Sequence, residues 1–238
     1  MQSVLRAIYP PQCLSCRAHV TSEFGLCGTC WRDTPFVAGL CCDQCGMPLP
    51  GEDEGTPVHC DDCLDRPRPW LRGRAAMLYA GNGRRIVLSL KHGDRLDVGR
   101  AAAEWLARAA APMLQSDMIV APIPLHWLRL LRRRYNQAAL LSRGVAARTG
   151  LAHCPDLLVR PRATRSLDGR GRDERFATLE GALAVHPRRR HLLVGRHVLL
   201  VDDVMTSGAT FHAGAEACRA AGAAAVSVLA LARVAKGS

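Results

Sequence analysis

A chain of 238 residues, 48% of them apolar, can bury one ordinary core with a small unit beside it. Its formal charge of +11 and pI near 9.6 come almost wholly from arginine, because Lys91 and Lys236 are the only lysines, and arginine suits planar, bidentate contact with phosphate. Aromatic residues make up only 5%, which argues against an aromatic stacking platform for nucleic acid, and no run approaches the ~20 apolar residues of a membrane span.

The opening stretch MQSVLRAIYPPQC has too short an apolar run for a secretory signal, so a cytoplasmic chain is expected. Residues 1–12 predict a short helix with Val4, Leu5 and Ile8 on one face, stopped at Pro10-Pro11 and serving as a lid. Nine of the 11 cysteines then fall between Cys13 and Cys63, in a stretch rich in Gly, Pro and Asp. In a reducing compartment that density argues for metal rather than disulfides. Four C-x-x-C knuckles are present: Cys13/Cys16, Cys27/Cys30, Cys42/Cys45 and Cys60/Cys63. The turn inside a knuckle points both sulfurs at one ion, so two knuckles make one tetrahedral four-thiolate site and the set makes two zinc sites. Spacing alone allows sequential or crossed pairing. Cys41 is spare, and His59 beside Cys60 is a bystander. A closed four-sulfur site leaves no open position for catalysis, so both ions are expected to be structural; each such site carries about −2, which lowers the net charge to roughly +7.

RPRPW (66–70) reads as a stiff linker, because proline fixes φ and disfavours helix at the residue before it. The expected organisation is a cysteine module over 1–66, a linker over 67–72 and a second domain over 73–238. In that domain, strands are predicted at 75–80, 117–124, 156–160, 197–203 and 226–234. Helices are predicted at 84–93, 98–114, 135–149 (closed by Gly150) and 208–222. Residues 161–180, polar and arginine-rich, read as a mobile loop. Cys154 and Cys218 read as buried and inert. Alternating strands and helices imply an α/β domain with a mainly parallel sheet.

The most specific chemistry lies in HVLLVDDVMTSGAT (197–210). An apolar strand ends in Asp202-Asp203, and a short loop leads into a helix whose first turn holds Ala209 and Thr210. Backbone N–H groups at a helix start bind anions. Gly208 lets the backbone approach a phosphate, and the hydroxyls of Thr206, Ser207 and Thr210 can donate to its oxygens. The two carboxylates can accept from adjacent ribose hydroxyls. One end therefore suits a 5′-phosphate and the other a diol. An ATPase magnesium site would need a G-x-x-x-x-G-K-[ST] loop, and the chain has none.

This loop resembles the signature of type I phosphoribosyltransferases. With four knuckles in front, nearly the whole chain resembles the ComF/GntX family of competence-type proteins. The resemblance implies a type I phosphoribosyltransferase-like parallel sheet flanked by helices, preceded by a small double zinc ribbon. It implies phosphoribosyl pyrophosphate or a related ribose phosphate as ligand, with magnesium. Asp202, Asp203, Thr206, Ser207, Gly208, Ala209 and Thr210 would hold the ribose phosphate. APIPLHWLRLLRRRYNQA (121–138) resembles the family segment whose loop holds pyrophosphate. That match places Pro124 and Leu125 in the loop, with Arg133, Tyr135, Asn136 and Gln137 in the motif that follows. Lys91 matches a family Leu-Lys segment near the site, and Thr164 to Arg175 resembles the loop that closes over ligand. Arg134, Leu167 and Thr178 stand where the family usually has Gly, Gln and Asn, so the acceptor-selecting loop is altered.

Three roles remain open at this stage. The first is a phosphoribosyltransferase acting on an unknown acceptor. The second is an accessory factor for DNA uptake in natural transformation that binds single-stranded DNA. The third is an adaptor for competence-machinery proteins built on the zinc module.

Overall fold

The computed structural model describes residues 10–23, 25–92, 95–125, 135–161 and 171–235. Residues 1–9 of the expected N-terminal helix lie outside them, and Gln12 instead bridges His19 in antiparallel fashion. Each half of the cysteine module is a knuckle turn followed by a one-turn helix, α1 (Gly28–Arg32) and α2 (Asp61–Asp65). Cys27 and Cys60 stand at the two N-caps, and the Cys27 sulfur accepts from the Cys30 amide.

The α/β part begins with β1 (Arg72–Leu78), α3 (Gly81–His92), α4 (Leu96–Ala110) and β2 (Ile119–Pro122). Next come α5 (Gln137–Thr149), β3 (Ala152–His153) and β4 (Leu158–Val159). After these follow α6 (Arg172–Leu179), β5 (Ala184–Val185) and α7 (Arg190–Leu193), and the described chain closes with β6 (His197–Met205), α8 (Ala209–Ala220) and β7 (Ala225–Arg233). The boundaries of α5 follow from its sequence. The Asn136 side chain caps it by accepting from the Ala138 amide, and Gly150 ends it in the left-handed region at φ 71°.

Five strands form one parallel sheet in the order β1-β7-β6-β2-β3, while β4 and β5 pair antiparallel beside it. Side chains alternate across the sheet. Along β6, Val198 and Leu200 pack against Phe211, Ala215 and Cys218 of α8. Leu199 and Val201 pack on the other face, in the core that holds Ile86 and Leu90 of α3, Leu106 of α4 and Leu141 of α5. Both faces are covered, as the continuous apolar runs of β6 and β7 require. Among the described residues no helix is long and apolar enough to cross a membrane.

The expected α/β class and parallel sheet are present; the strand expected at 156–160 is instead the two-residue β4, paired antiparallel with β5 outside that sheet, and a second segment differs. Residues 172–179 form helix α6 where a loop was expected. Asp173 and Glu174 favour its positive N-terminal end, and Phe176 and Leu179, three apart, reach the core shared with α8. The remainder of that expected loop, 162–170, lies outside the described residues. Strands β3 and β5, two residues each, are too short to leave a periodic signal.

The ribbon lies along the outer edge of β1. The Val37 amide donates to Ala76 O (3.0 Å), the Leu78 amide to Pro35 O (2.8 Å) and the Gly73 amide to Asp43 O (2.8 Å). Gly73 is obligatory at this contact, since a Cβ there would sit 2.2 Å from the backbone oxygen of Gln44. Asp43 fixes the same junction by accepting from Arg72 (2.8 Å) and Arg74 (2.6 Å). Burial pushes the Asp43 carboxyl up, but these two guanidinium groups outweigh it and hold it below the usual carboxylate range.

Candidate ribose-phosphate and metal sites

The eight knuckle cysteines form two clusters, Cys13, Cys16, Cys27 and Cys30 in one, and Cys42, Cys45, Cys60 and Cys63 in the other. Pairing is therefore sequential. In each cluster the four sulfurs lie within 4.8 Å of one another. The Cys16–Cys27 and Cys45–Cys60 sulfurs are 3.7 and 3.6 Å apart. Zn–S bonds of about 2.3 Å in a tetrahedron place sulfurs about 3.8 Å apart, whereas a disulfide needs about 2.05 Å. Both clusters thus fit zinc, which would act as a closed, purely structural staple. Burial opposes ionisation of Cys13, yet backbone amides of Cys16 and Cys27 bring it down to about 6. Hydrogen bonds from Cys45 and Cys63 hold Cys42 far below the usual thiol range. Burial and hydrogen bonds within its cluster raise the partner thiol Cys30, and hydrogen bonds within theirs and burial raise Cys45 and Cys63. Cys41 and His59 belong to neither cluster. Cys154 and Cys218 are buried, and burial pushes Cys218 up to about 12, so both are poor nucleophiles as expected.

The ribose-phosphate candidates sit where the sheet's winding reverses. From β2 the chain passes through α5 to β3 on one side, and from β6 through α8 to β7 on the other. The two helices cover opposite faces, so a crevice opens at the carboxyl ends of β2 and β6, the usual place for a ligand in an open α/β sheet. Asp202 and Asp203 lie near the end of β6, and alternation turns them toward opposite faces. The Asp202 carboxylate accepts from the Asp203 amide at 2.8 Å. Beyond them Thr206 is exposed, Ser207 half-buried, and Gly208 left-handed at φ 80°, with Ala209 and Thr210 opening α8.

The peptide planes of this loop are set from behind. Arg68 donates to Ser207 O (2.9 Å). Arg233 donates to Met205 O (3.2 Å), to Val234 O (2.7 Å) and to Thr206 O. In a planar trans peptide the next residue's N–H points opposite to the carbonyl. Pinning these carbonyls therefore turns the amides of Thr206, Ser207 and Gly208 away from the two arginines. A Cβ on Gly208 would meet Arg68 Nη1 and the Trp70 ring at 3.2 Å, so glycine serves both the φ and the close approach.

Pro124 and Leu125 lie just past Ile123, the residue after β2, and are half-buried; the Ile123 amide donates to Val201 O at 2.9 Å, so this loop is next to the end of β6. Asn136 donates to Ile123 O (3.1 Å) while capping α5, which ties the loop to the helix start. Tyr135 hydroxyl bonds Leu90 O at 2.6 Å, bringing the end of α3, where Lys91 lies, to the same place. The Lys91 side chain and all of Arg133 lie outside the described residues. Sequence reasoning missed Arg68, Arg233 and Asp43. Only Arg233, a charge closing an apolar strand, carried any signal.

Residues 4–64 match the family model for a double zinc ribbon domain. The chain is 32% identical over 232 residues to DNA utilization protein YhgH of Salmonella typhi, covering 94% of this chain and 97% of that protein. It is 31% identical over 234 residues to the YhgH protein of Escherichia coli K12, with the same coverage. It is 25% identical to competence protein F of Haemophilus influenzae, covering 93% and 96%. Among solved structures it is similar to an allosteric regulatory enzyme of purine biosynthesis (TM-score 0.41, 20% identity, 60% of this chain and 30% of that one). It is also similar to an adenine phosphoribosyltransferase from Thermoanaerobacter pseudethanolicus (TM-score 0.35, 17% identity, 58% and 82%). With its double zinc ribbon in front and near-complete coverage of these relatives, the chain belongs to the ComF/GntX family, together with the YhgH and competence F proteins.

Proposed function

We propose that the crevice between β2 and β6 binds phosphoribosyl pyrophosphate with magnesium, and that this ligand serves DNA utilization, the role carried in the relatives' names. The observation behind it is the loop 205–208. Its carbonyls are drawn back, Gly208 is left-handed at the start of a 12-residue helix, and two carboxylates stand just ahead. Outward amides and the helix dipole favour the 5′-phosphate, and the Thr206, Ser207 and Thr210 hydroxyls add donors. Asp202 and Asp203 take the ribose diol. Pro124 has no N–H, so Leu125 supplies the first backbone donor to pyrophosphate, and Lys91 and Arg133 offset its charge. Magnesium held with the pyrophosphate supplies charge neutralisation, and carboxylate oxygens suit that hard ion.

If the ligand is turned over, an acceptor nitrogen forms a bond to the anomeric carbon as the bond to pyrophosphate oxygen breaks. Positive charge developing on the ribose is stabilised by the two carboxylates. The test is calorimetric titration of the zinc-loaded protein with phosphoribosyl pyrophosphate and magnesium, beside Asp202→Asn/Asp203→Asn. Binding by the parent that is lost in the double variant is expected. No binding by either protein overturns the reading and brings forward the alternative of a non-catalytic factor that binds single-stranded DNA.

A further inference from the structure

The two arginines that orient the loop are themselves unusual. Arg68 is 8% exposed and Arg233 2%, and in each the Nε is buried without a hydrogen-bond partner. Neither has a carboxylate partner among the described residues. A buried charge without a counter-charge is costly, so the compensation must come from elsewhere in their surroundings.

The second cysteine cluster packs in the same core as the residues these arginines touch. Cys42, Cys45 and Cys63 lie in one core cluster with Trp70, Met205, Ala209 and Phe211. Arg68 stacks over the Trp70 ring at 5.4 Å, and that ring meets Phe211 edge-on at 6.4 Å. Arg68 reaches this core through the Trp70 ring, and Arg233 through its bond to Met205 O (3.2 Å). The Trp70 indole N–H donates to Gln44 O at 2.6 Å, inside the Cys42–Cys45 knuckle. Four thiolates around a divalent ion carry about −2, which matches two guanidinium groups. Among the described residues, the first cluster is flanked by Asn82, which donates to Cys30 O (3.0 Å) and Thr34 Oγ1 (2.8 Å), and by Arg95, which donates to Leu14 O (3.5 Å) but is already paired with Asp97 (2.6 Å).

We propose that the second four-cysteine cluster is the counter-charge of an Arg68–Arg233 clamp, so that metal held by Cys42, Cys45, Cys60 and Cys63 sets the peptide orientation of the 205–208 loop and its affinity for phosphate. The affinity part rests on the ligand reading above; the orientation part does not. Arg68 and Arg233 are positioning residues, acting through backbone carbonyls on the ligand-facing amides. Zinc loss or thiol oxidation at this cluster leaves two uncompensated charges behind the loop and releases its carbonyls, while the same events at the first cluster leave the loop as it was.

The experiment uses the zinc-loaded full chain with Arg68→Ala and Arg68→Lys. The first readout is hydrogen exchange at two amides that close on the loop, Val234 on Met205 O and His212 on Gly208 O, both at 2.9 Å. The second is zinc release to a chromogenic chelator, with the first-cluster phase identified from Cys13→Ser. Arg68→Ala is expected to speed exchange at both amides, and zinc release from the second cluster, by about tenfold, the scale of one charge-assisted hydrogen bond, with β6 core amides and the first-cluster phase unchanged. Arg68→Lys keeps the charge and loses the fork, so it should restore zinc retention more than amide protection. If Arg68→Ala fails to fold, Arg68→Lys carries the comparison. Both readouts at parental values in a folded variant overturn the proposal. Ribose 5-phosphate added to the parent should slow second-cluster release, by reciprocity of linked binding. Failure of both ribose 5-phosphate and phosphoribosyl pyrophosphate to bind overturns the ligand reading, and the two amides still decide the clamp.

Discussion

The two cysteine clusters share ligands, knuckle geometry and a one-turn helix, yet they stand in different company. In the first cluster Cys13 and Cys30 are buried and Cys16 is exposed. Its contacts run through Asn82, Ser15 and Thr34 to the start of α3. In the second, Cys42, Cys45 and Cys63 are buried in the core that also holds the helix after the candidate phosphate loop. A metal staple therefore contributes beyond its own fold only through what it touches. The same four-cysteine arrangement stands beside the start of α3 in one case and behind the proposed ligand crevice in the other.

Breaking each cluster separately is the strongest challenge to this contrast. Structural zinc sites contribute several kcal/mol or more to folding, so Cys42→Ser/Cys45→Ser should lower Tm by more than about 10 °C, at least about twice the drop from Cys13→Ser/Cys16→Ser. Differential scanning calorimetry measures this, and equal drops would erase the distinction. A smaller effect is expected at the junction beside the second cluster. Asp43→Asn leaves Arg72 and Arg74 short of charge and should cost about 2–3 kcal/mol in chemical denaturation. The Asp43 carboxyl lies below its ordinary value of 3.8 in the folded chain, so its contribution is complete above that value and fades as pH falls through the depressed one. The parent should show that acid loss and Asp43→Asn should lack it. The smallest test compares two glycines. Gly73→Ala drives a methyl against Gln44 O and should cost about 1–3 kcal/mol. Gly28→Ala in the first ribbon meets nothing within 4 Å and should stay within about 0.5 kcal/mol of the parent.

What the sequence disclosed depended on how local the chemistry is. The knuckles were legible because two cysteines three apart already define half a site. The stretch from Asp202 to Thr210 was legible because strand, acids, loop and helix start are contiguous. Cluster pairing was not, since it depends on how residues 31–41 and 46–59 fold back. Arg68 gave no warning: it sits between two prolines and meets Ser207 139 residues away. Asp43 looked like one of many acids in a cysteine-rich stretch, and its role depends on alternation in β1 placing Arg72 and Arg74 on one side. Helix α6 hid because its apolar face is only Phe176 and Leu179, set among charges that read as loop.

The bonds that residues 35–43 make to β1 have one more consequence. A sheet has two outer rims, each a row of backbone groups able to recruit a strand from another molecule. On the β3 side the rim is two residues long, too short to serve as a template. On the β1 side it is seven residues long, and the ribbon occupies it through Pro35, Val37 and Asp43. Stapling those residues with metal thereby keeps the longer rim closed to other copies of the chain. A protein stripped of its ribbon would present an open, apolar, strand-ready border and would tend to self-associate through it.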